Sequence, residues 1–246
     1  MRGAISVEKA TLYERYRLPY AREAINDLLA RIGKVQVVAD IGAGTGQLAR
    51  LFADRSAKVY AVEPDSAMRQ VASAALAGLA AIEMIAGFAE QTTLPADSVD
   101  LIVVGNAFHR FRPEACEEFR RILKAQGWIA LFAYEFTNKA FTEALFPKLA
   151  ALRGLANRVD RSWHRTPVQP LFGDGPIHTL SYRQSYIEDW AAFFGAACAG
   201  IEAPERNDPD WAQFETLNRQ VFDAFAVDGR IQIDYETRLQ YGKLMR

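Results

Sequence analysis

The stretch "VVADIGAGTGQLARLFA", residues 37–53, constrains this chain more than any other part of it. An apolar run reaches Asp40, three glycines follow within five residues (Gly42, Gly44, Gly46), and a helical pattern takes over. Glycine has no Cβ, so a strand–turn–helix of this kind brings backbone N–H groups close to a ligand at a helix N-terminus. The open question is which ligand needs bare backbone at the turn and a carboxylate just ahead of it.

The rest of the chain supplies the sheet around that turn. A helical pattern at 20–32 leads, and short apolar runs at 35–41, 58–62, 81–86, 99–104 and 127–134 then read as strands, with helical patterns at 45–54, 65–77 and 113–124 between them. The last opens with Pro113 at a first-turn position and spaces Cys116, Phe119, Ile122 and Leu123 along one face. Strands apolar on both faces, alternating with helices, predict a parallel sheet covered on both sides, and right-handed crossovers make it doubly wound.

After Tyr134 the rhythm changes. Residues 141–155 look helical, with Pro147 expected to kink or split them, and 157–176 read as an irregular connection. Segments 177–186 and 230–242 alternate as strands do, separated by helical patterns at 187–197 and 209–226. The expected architecture is an α/β, mostly parallel seven-stranded sheet with an antiparallel C-terminal pair. Residues 1–246 read as one domain, in which 1–34 form a helical segment over the ligand site and 136–176 with 187–229 form a cap.

Composition removes several function classes. A net charge of -1 offers no basic field for nucleic acid or an anionic membrane. The N-terminus lacks a signal-peptide core, and runs such as "LIVV" and "WIALFAY" are far too short to span a bilayer. Cys116 and Cys198 stand apart, without metal-ligand spacing, as suits a reducing cytosol. The expectation is a cytoplasmic protein with no metal, no nucleic acid and no membrane partner.

Glu63, about 20 residues beyond the turn at the end of the second strand, suits a bidentate hydrogen bond to both hydroxyls of a ribose. An adenosine-containing ligand follows, either a dinucleotide or S-adenosylmethionine. The dinucleotide fingerprint would put its third glycine at Gln47. Asp40 would also set negative charge against a pyrophosphate, whereas it attracts the sulfonium and ammonium of S-adenosylmethionine. The competing readings are that Asp40 caps a helix beginning near Thr45 and that the glycine turn is merely structural.

These residues resemble a known family. "VVADIGAGTGQLARLFA", "VYAVEPDSAMR", "GFAEQTTLPADSVDLIVVGNAFHRF" and "RRILKAQGWIALF" are similar, in order and spacing, to the motifs of class I S-adenosylmethionine-dependent methyltransferases, nearest the small-molecule type 11 group. The likeness runs from about 35 to 134, with weaker echoes in "YERYRLPYAREAI" and "VDGRIQIDYETRLQYGKL". It implies that Gly42, Ala43 and Gly44 line the methionine and ribose portion, and that Asp40 faces the cationic end. It implies that Glu63 holds the ribose and that Pro64 and Met68 pack on adenine. "GFAE" places Phe88 where many relatives carry an aspartate for the adenine amino group, with the backbone of Ala89 beside it. Asn106 would contact the methionine moiety or the substrate. Tyr13 and Arg17 would fold over the methionine carboxylate.

Methyl transfer is an in-line displacement, so the protein chiefly aligns and desolvates the reactants. A general base is needed only if the acceptor must lose a proton, and His109, in "GNAFHRF", is the candidate; the alternative is that it orients a loop. Relatives often carry tryptophan where Arg110 stands. Tyr134 and Glu135 end the fifth strand and could touch the acceptor. His164 and His178 read as ordinary packing or surface residues, and the aromatics Phe136, Phe141, Phe146, Trp163 and Phe172 as core more readily than as substrate contacts. Arg158, Arg161 and Arg165 are either a solvated face or a clamp for an acidic substrate. The function expected is methyl transfer from S-adenosylmethionine to a small-molecule acceptor. The alternatives are an NAD-dependent oxidoreductase and a non-catalytic binding module.

Overall fold

The structure, a computed structural model, describes residues 5–152, 168–200 and 203–244. Arg158, Arg161, Trp163, His164 and Arg165 lie outside the described residues. Seven strands form one sheet: β1 (Val37–Ile41), β2 (Lys58–Val62), β3 (Ile82–Ile85), β4 (Val99–Gly105), β5 (Leu123–Phe136), β6 (His178–Asp189) and β7 (Arg230–Gly242). Their order is β3-β2-β1-β4-β5-β7-β6. The first five run parallel, while β7 is antiparallel to both β5 and β6, as the change of sequence rhythm after Tyr134 predicts.

The winding reverses between β1 and β4. Their crossovers leave on opposite faces, so a crevice opens at their carboxyl ends. One face of the sheet is covered by α2 (Arg22–Ile32), α5 (Lys139–Leu152), α7 (Trp190–Cys198) and α8 (Trp211–Phe225), with Ile25, Leu28, Phe141, Phe193 and Phe222 buried. The other is covered by α4 (Ala115–Ile122) and α6 (Gln169–Phe172), through Phe119, Ile122 and Phe172. The remaining helices, α1 (Val7–Tyr16) and α3 (Ser66–Ala75), pack on each other through Ala10, Ala67 and Met68. No helix among the described residues is long and apolar enough to cross a membrane.

Three local expectations need correction. The helix expected over 45–54 is a 3₁₀ turn, Ala49–Phe52, in which Leu51 N–H bonds to Leu48 and Ala53 N–H to Arg50. Gly44 and Gly46 have φ of 58° and 81°, so regular helix cannot begin before Gln47, and β2 opens at Lys58. Of the eleven residues 47–57 left before β2, only Ala49–Phe52 wind up, as the 3₁₀ turn. Pro147 sits inside α5 without splitting it. The carbonyl its missing N–H would have bonded belongs to Glu143, an exposed residue on the solvent side of the helix. Within the stretch expected to be irregular, Leu171 and Phe172 are buried on the short helix α6.

Gly42 shows why the turn needs glycine. Its φ is 73°, and a Cβ there would meet Ala107 Cβ at 2.8 Å, so the loops leaving β1 and β4 touch at this point. Gly42→Ala is expected to cost at least about 1–2 kcal/mol from the left-handed backbone alone, read as a lowered midpoint of urea unfolding. An unchanged midpoint would mean that the turn relaxes freely.

Candidate functional site

Asp40 lies in the middle of the sheet, opposite Ala61 of β2 and Val103 of β4. It is 1% exposed, and neither carboxylate oxygen accepts a hydrogen bond of ordinary geometry, although the Ala49 amide faces the group. Burial pushes its pKa up to about 7; the Ala49 amide offsets part of that rise and the neighbouring Glu63 charge adds to it. The helix expected near Thr45 is reduced to the 3₁₀ turn Ala49–Phe52, whose first amide, that of Ala49, is the one facing the carboxylate. A deeply buried acid without a paired cation carries a desolvation cost that a partner would relieve.

Glu63 follows β2 and is 8% exposed. Its Oε2 accepts from the Gly44 amide and its Oε1 from the Asp65 amide, each at 2.9 Å. Burial raises its pKa, opposed by those two amides and by the charge of Arg110. The turn itself is internally satisfied: Gly42 and Ala43 donate to the Val62 carbonyl (2.9 and 3.0 Å), and Gly46 to Ala43 (2.8 Å). The expectation that these amides stand bare for a ligand is therefore corrected. In this turn the glycines give close approach, while their donors are spent on holding the loop against β2.

Across the crevice, Asn106 leaves β4 with φ 50°, a left-handed backbone rarely adopted outside glycine. Its Nδ2 donates to Tyr20 Oη (2.9 Å), and its Oδ1 accepts from the Tyr134 amide (3.3 Å). Tyr20 is buried, packs edge-on to Phe132 and lies 6.0 Å from Tyr134, ring centre to ring centre. Burial, chiefly, raises the Tyr20 pKa, with Asp40 among the charges acting on it. Sequence reasoning missed Tyr20. It carries no motif of its own, and only the turn between α1 and α2 brings it here.

Arg17 is sandwiched between the rings of Tyr13 (4.8 Å) and Tyr134 (5.0 Å). Burial opposes its charge, but the facing phenol oxygens of Tyr134, Tyr13 and Tyr20 outweigh that, so it stays protonated. Tyr13 also reaches the glycine turn: a Cβ on Gly44 would lie 3.8 Å from its ring. α1 is fastened across the crevice at several points. Arg50 pairs with Glu14 (2.5 Å), Gln47 donates to the Glu14 carbonyl (3.2 Å), and the Ile5 amide donates to Asp65 (3.3 Å). The structure thus gathers Tyr13, Arg17, Asp40, Gly42, Ala43, Gly44, Glu63 and Asn106 around one crevice.

The residues assigned to adenine are arranged differently. Met68 is buried between α1 and α3 against Ala10 and Tyr13, and Pro64 is exposed. Phe88 is 60% exposed and makes a tight bridge with Gln91, while Ala89 beside it is buried. That loop is anchored from below: Glu118 accepts from the amide and hydroxyl of Thr92 (2.8 and 2.6 Å) and pairs with Arg121. Phe88 is therefore presented at the rim and packs on no core.

His109 lies on an exposed 3₁₀ turn, Phe108–Arg110, where its Nε2 accepts from Arg110 Nε (3.4 Å). It lines a small cavity of about 40 Å³ with Asn106, Phe108, Arg238 and Gln240, at the carboxyl ends of β4 and β5. Glu135 lies 3.4 Å from Arg238. Tyr134 is buried, facing the crevice rather than this cavity. His178 stacks on Tyr241 (5.0 Å), and Phe141 sits among Phe136, Phe193 and Phe225, both as the packing reading predicts. Among the described residues no cluster of His, Cys, Asp or Glu could hold a metal.

Sheet order, antiparallel terminal pair and acid-bearing crevice define a Rossmann-like methyltransferase fold. Solved structures agree: a candidate methyltransferase from an antibiotic biosynthesis pathway of Anabaena variabilis superposes with a TM-score of 0.62 at 21% identity, covering 93% of this chain and 99% of that one. The YcgJ protein from Bacillus superposes at 0.57 with 19% identity, covering 92% and 99%. In sequence, residues 39–131 match the model of the methyltransferase domain family. An uncharacterized methyltransferase of Anoxybacillus flavithermus is 30% identical over 148 residues, 58% of this chain and 68% of that one. One from Mycobacterium tuberculosis is 38% identical over 120 residues, 48% of this chain and 47% of that one. The chain belongs to the methyltransferase family. It spans about half the length of the mycobacterial relatives it matches.

Proposed function

We propose that this protein transfers the methyl group of S-adenosylmethionine to a small-molecule acceptor. The observation that carries this reading is Asp40: a buried carboxylate with two unpartnered oxygens suits a ligand with cationic centres. The same carboxylate, and a turn whose amides are already bonded, disfavour the pyrophosphate of NAD. When bound, S-adenosylmethionine supplies an electrophilic methyl on a good leaving group.

The chain's own residues then have separable tasks. Asp40 neutralises the cationic end, and Arg17, held between two phenols, meets a carboxylate. Glu63 uses two lone pairs on its own backbone and has two left for the ribose hydroxyls. Tyr13 and α1 exclude water above the turn, and Asn106 sets the far wall through Tyr20. Phe88, at the rim, offers a ring face for the adenine. His109, exposed beside the small cavity, takes a proton when the acceptor has one to lose. The helices after β5 and β6 cap the acceptor, in a protein that works as one cytoplasmic domain.

Calorimetric titration with S-adenosylhomocysteine tests the core of this reading, and NAD serves as the control. Binding of the first and silence of the second is expected; the reverse overturns it. Tyr20→Phe removes the acceptor for Asn106 Nδ2 without creating a cavity. It is expected to weaken nucleoside binding by about 1 kcal/mol, roughly fivefold, with unfolding little changed. Full affinity in this variant would remove Tyr20 from the binding wall.

A further inference from the structure

A second cavity, roomier than the one beside His109, lies away from the crevice. It holds about 190 Å³ between α1, α7 and α8, lined by Lys9, Tyr16, Ala191, Phe194, Arg206 and Trp211 among others. Its walls are aromatic: Phe194 and Trp211 meet at 5.7 Å, and both rings are only half-buried although a core would enclose them fully. Two cations converge on it. Lys9 is 7% exposed, and its ammonium donates to the Ala203 carbonyl (2.7 Å). Arg206 stands over the Trp211 ring at 5.3 Å.

The carboxylates facing those cations are loosely held. Glu205 lies 3.4 Å from Lys9 but is itself half exposed, and Glu8 lies 3.6 Å from Arg206 with both side chains mostly in water. Exposed pairs of this kind contribute little, so an incoming carboxylate exchanges for Glu205 at small cost. Lys9, in contrast, is fixed by the backbone and cannot retreat to solvent. Rings on the walls and a buried ammonium at one end suit a flat aromatic body with one acidic group.

We propose that this cavity is a second ligand site, for a small aromatic carboxylic acid. It is distinct from the nucleoside crevice because α1 stands between them: Lys9, Leu12 and Tyr16 line the cavity, whereas Ala10 and Tyr13 pack on α3 and the glycine turn. A ligand seated there braces α1 from the α7 side and so holds Tyr13 and Arg17 over the crevice. That coupling rests on the nucleoside reading above; occupancy of the cavity does not.

The test uses 2-naphthoate as probe and 2-naphthylmethylamine as its cationic counterpart, followed by ligand-observed saturation-transfer NMR on the whole protein. The acid is expected to bind and the amine not. Arg206→Glu, at an exposed position, should weaken the acid severalfold. Ala191→Trp, at the exposed mouth, should abolish its signal. Saturating S-adenosylhomocysteine should leave the acid bound, and the acid should slow release of S-adenosylhomocysteine severalfold. Displacement of the acid by S-adenosylhomocysteine, equal binding of acid and amine, or indifference to both variants each overturns the proposal. Should S-adenosylhomocysteine fail to bind while the acid still responds to both variants, the nucleoside reading falls and the cavity assignment stands.

Discussion

Replacing Asp40 by asparagine is expected to weaken binding of S-adenosylmethionine by about 10- to 100-fold, the range for losing a hydrogen-bonded charge in a buried site. The same change should make the ligand-free protein more stable near pH 8. Both effects come from one fact. Asp40 has no solvent and only the Ala49 amide, outside ordinary hydrogen-bond geometry, facing its two oxygens, so its ionised form is costly until a cation arrives. Asparagine removes that cost and the attraction together, a trade of stability against function.

The pH dependence follows with a definite sign. In the unfolded chain the carboxyl titrates near 3.8, and in the fold burial raises it to about 7. Its contribution to stability is complete below the lower value and is lost as pH rises through the higher one, by up to about 1.4 kcal/mol per unit. Ligand affinity runs the other way, because the cation selects the ionised carboxylate. Between pH 5 and 7 it should climb by up to about tenfold per unit, with a proton released on binding. Calorimetry in two buffers of different ionisation enthalpy measures that proton, and urea unfolding at pH 5 and pH 8 measures the stability change. Binding without proton release, or an Asp40→Asn variant that keeps full affinity, would leave the cationic end of the ligand somewhere else.

Glu63→Gln is expected to be nearly as damaging as Glu63→Ala, with a loss of about 1.5–3 kcal/mol in nucleoside affinity. Ordinarily glutamine replaces glutamate with little harm to shape. Here both oxygens already accept from backbone amides, Gly44 on one and Asp65 on the other. An amide side chain must turn its NH₂ toward one of those N–H groups, setting donor against donor. The glycine turn or the entry to α3 is released, and one ribose hydroxyl loses its acceptor. The titration used for the parent protein reads the effect directly. A glutamine variant that binds like the parent would show that Glu63 serves the loop alone.

Much of this arrangement can be read before any folding is considered. Strands apolar on both faces, separated by helical patterns, leave a doubly wound sheet as the one arrangement that buries them, and the alternation in 177–186 and 230–242 marks the antiparallel pair. Asp40, the glycines and Glu63 fall at strand ends by position alone, so their place in the crevice was legible. Helix length at the first crossover was not. The apolar spacing of 45–54 resembles a helix, but left-handed Gly44 and Gly46 delay its start and the chain winds there only as the 3₁₀ turn Ala49–Phe52.

By itself, then, the chain's order of residues determined the sheet, the crevice at the β1–β4 switch and the acids that line it, because each follows from patterns within a few residues of one another. Tertiary structure decided which donors those acids keep, and it left Asp40 without a well-formed hydrogen bond while giving Glu63 two. It also decided that Tyr20 joins the wall and that α1, α7 and α8 enclose a cavity lined by Lys9. Those outcomes depend on side chains far apart in the chain meeting in a low-dielectric interior, where an unpaired polar atom costs far more than it would in water.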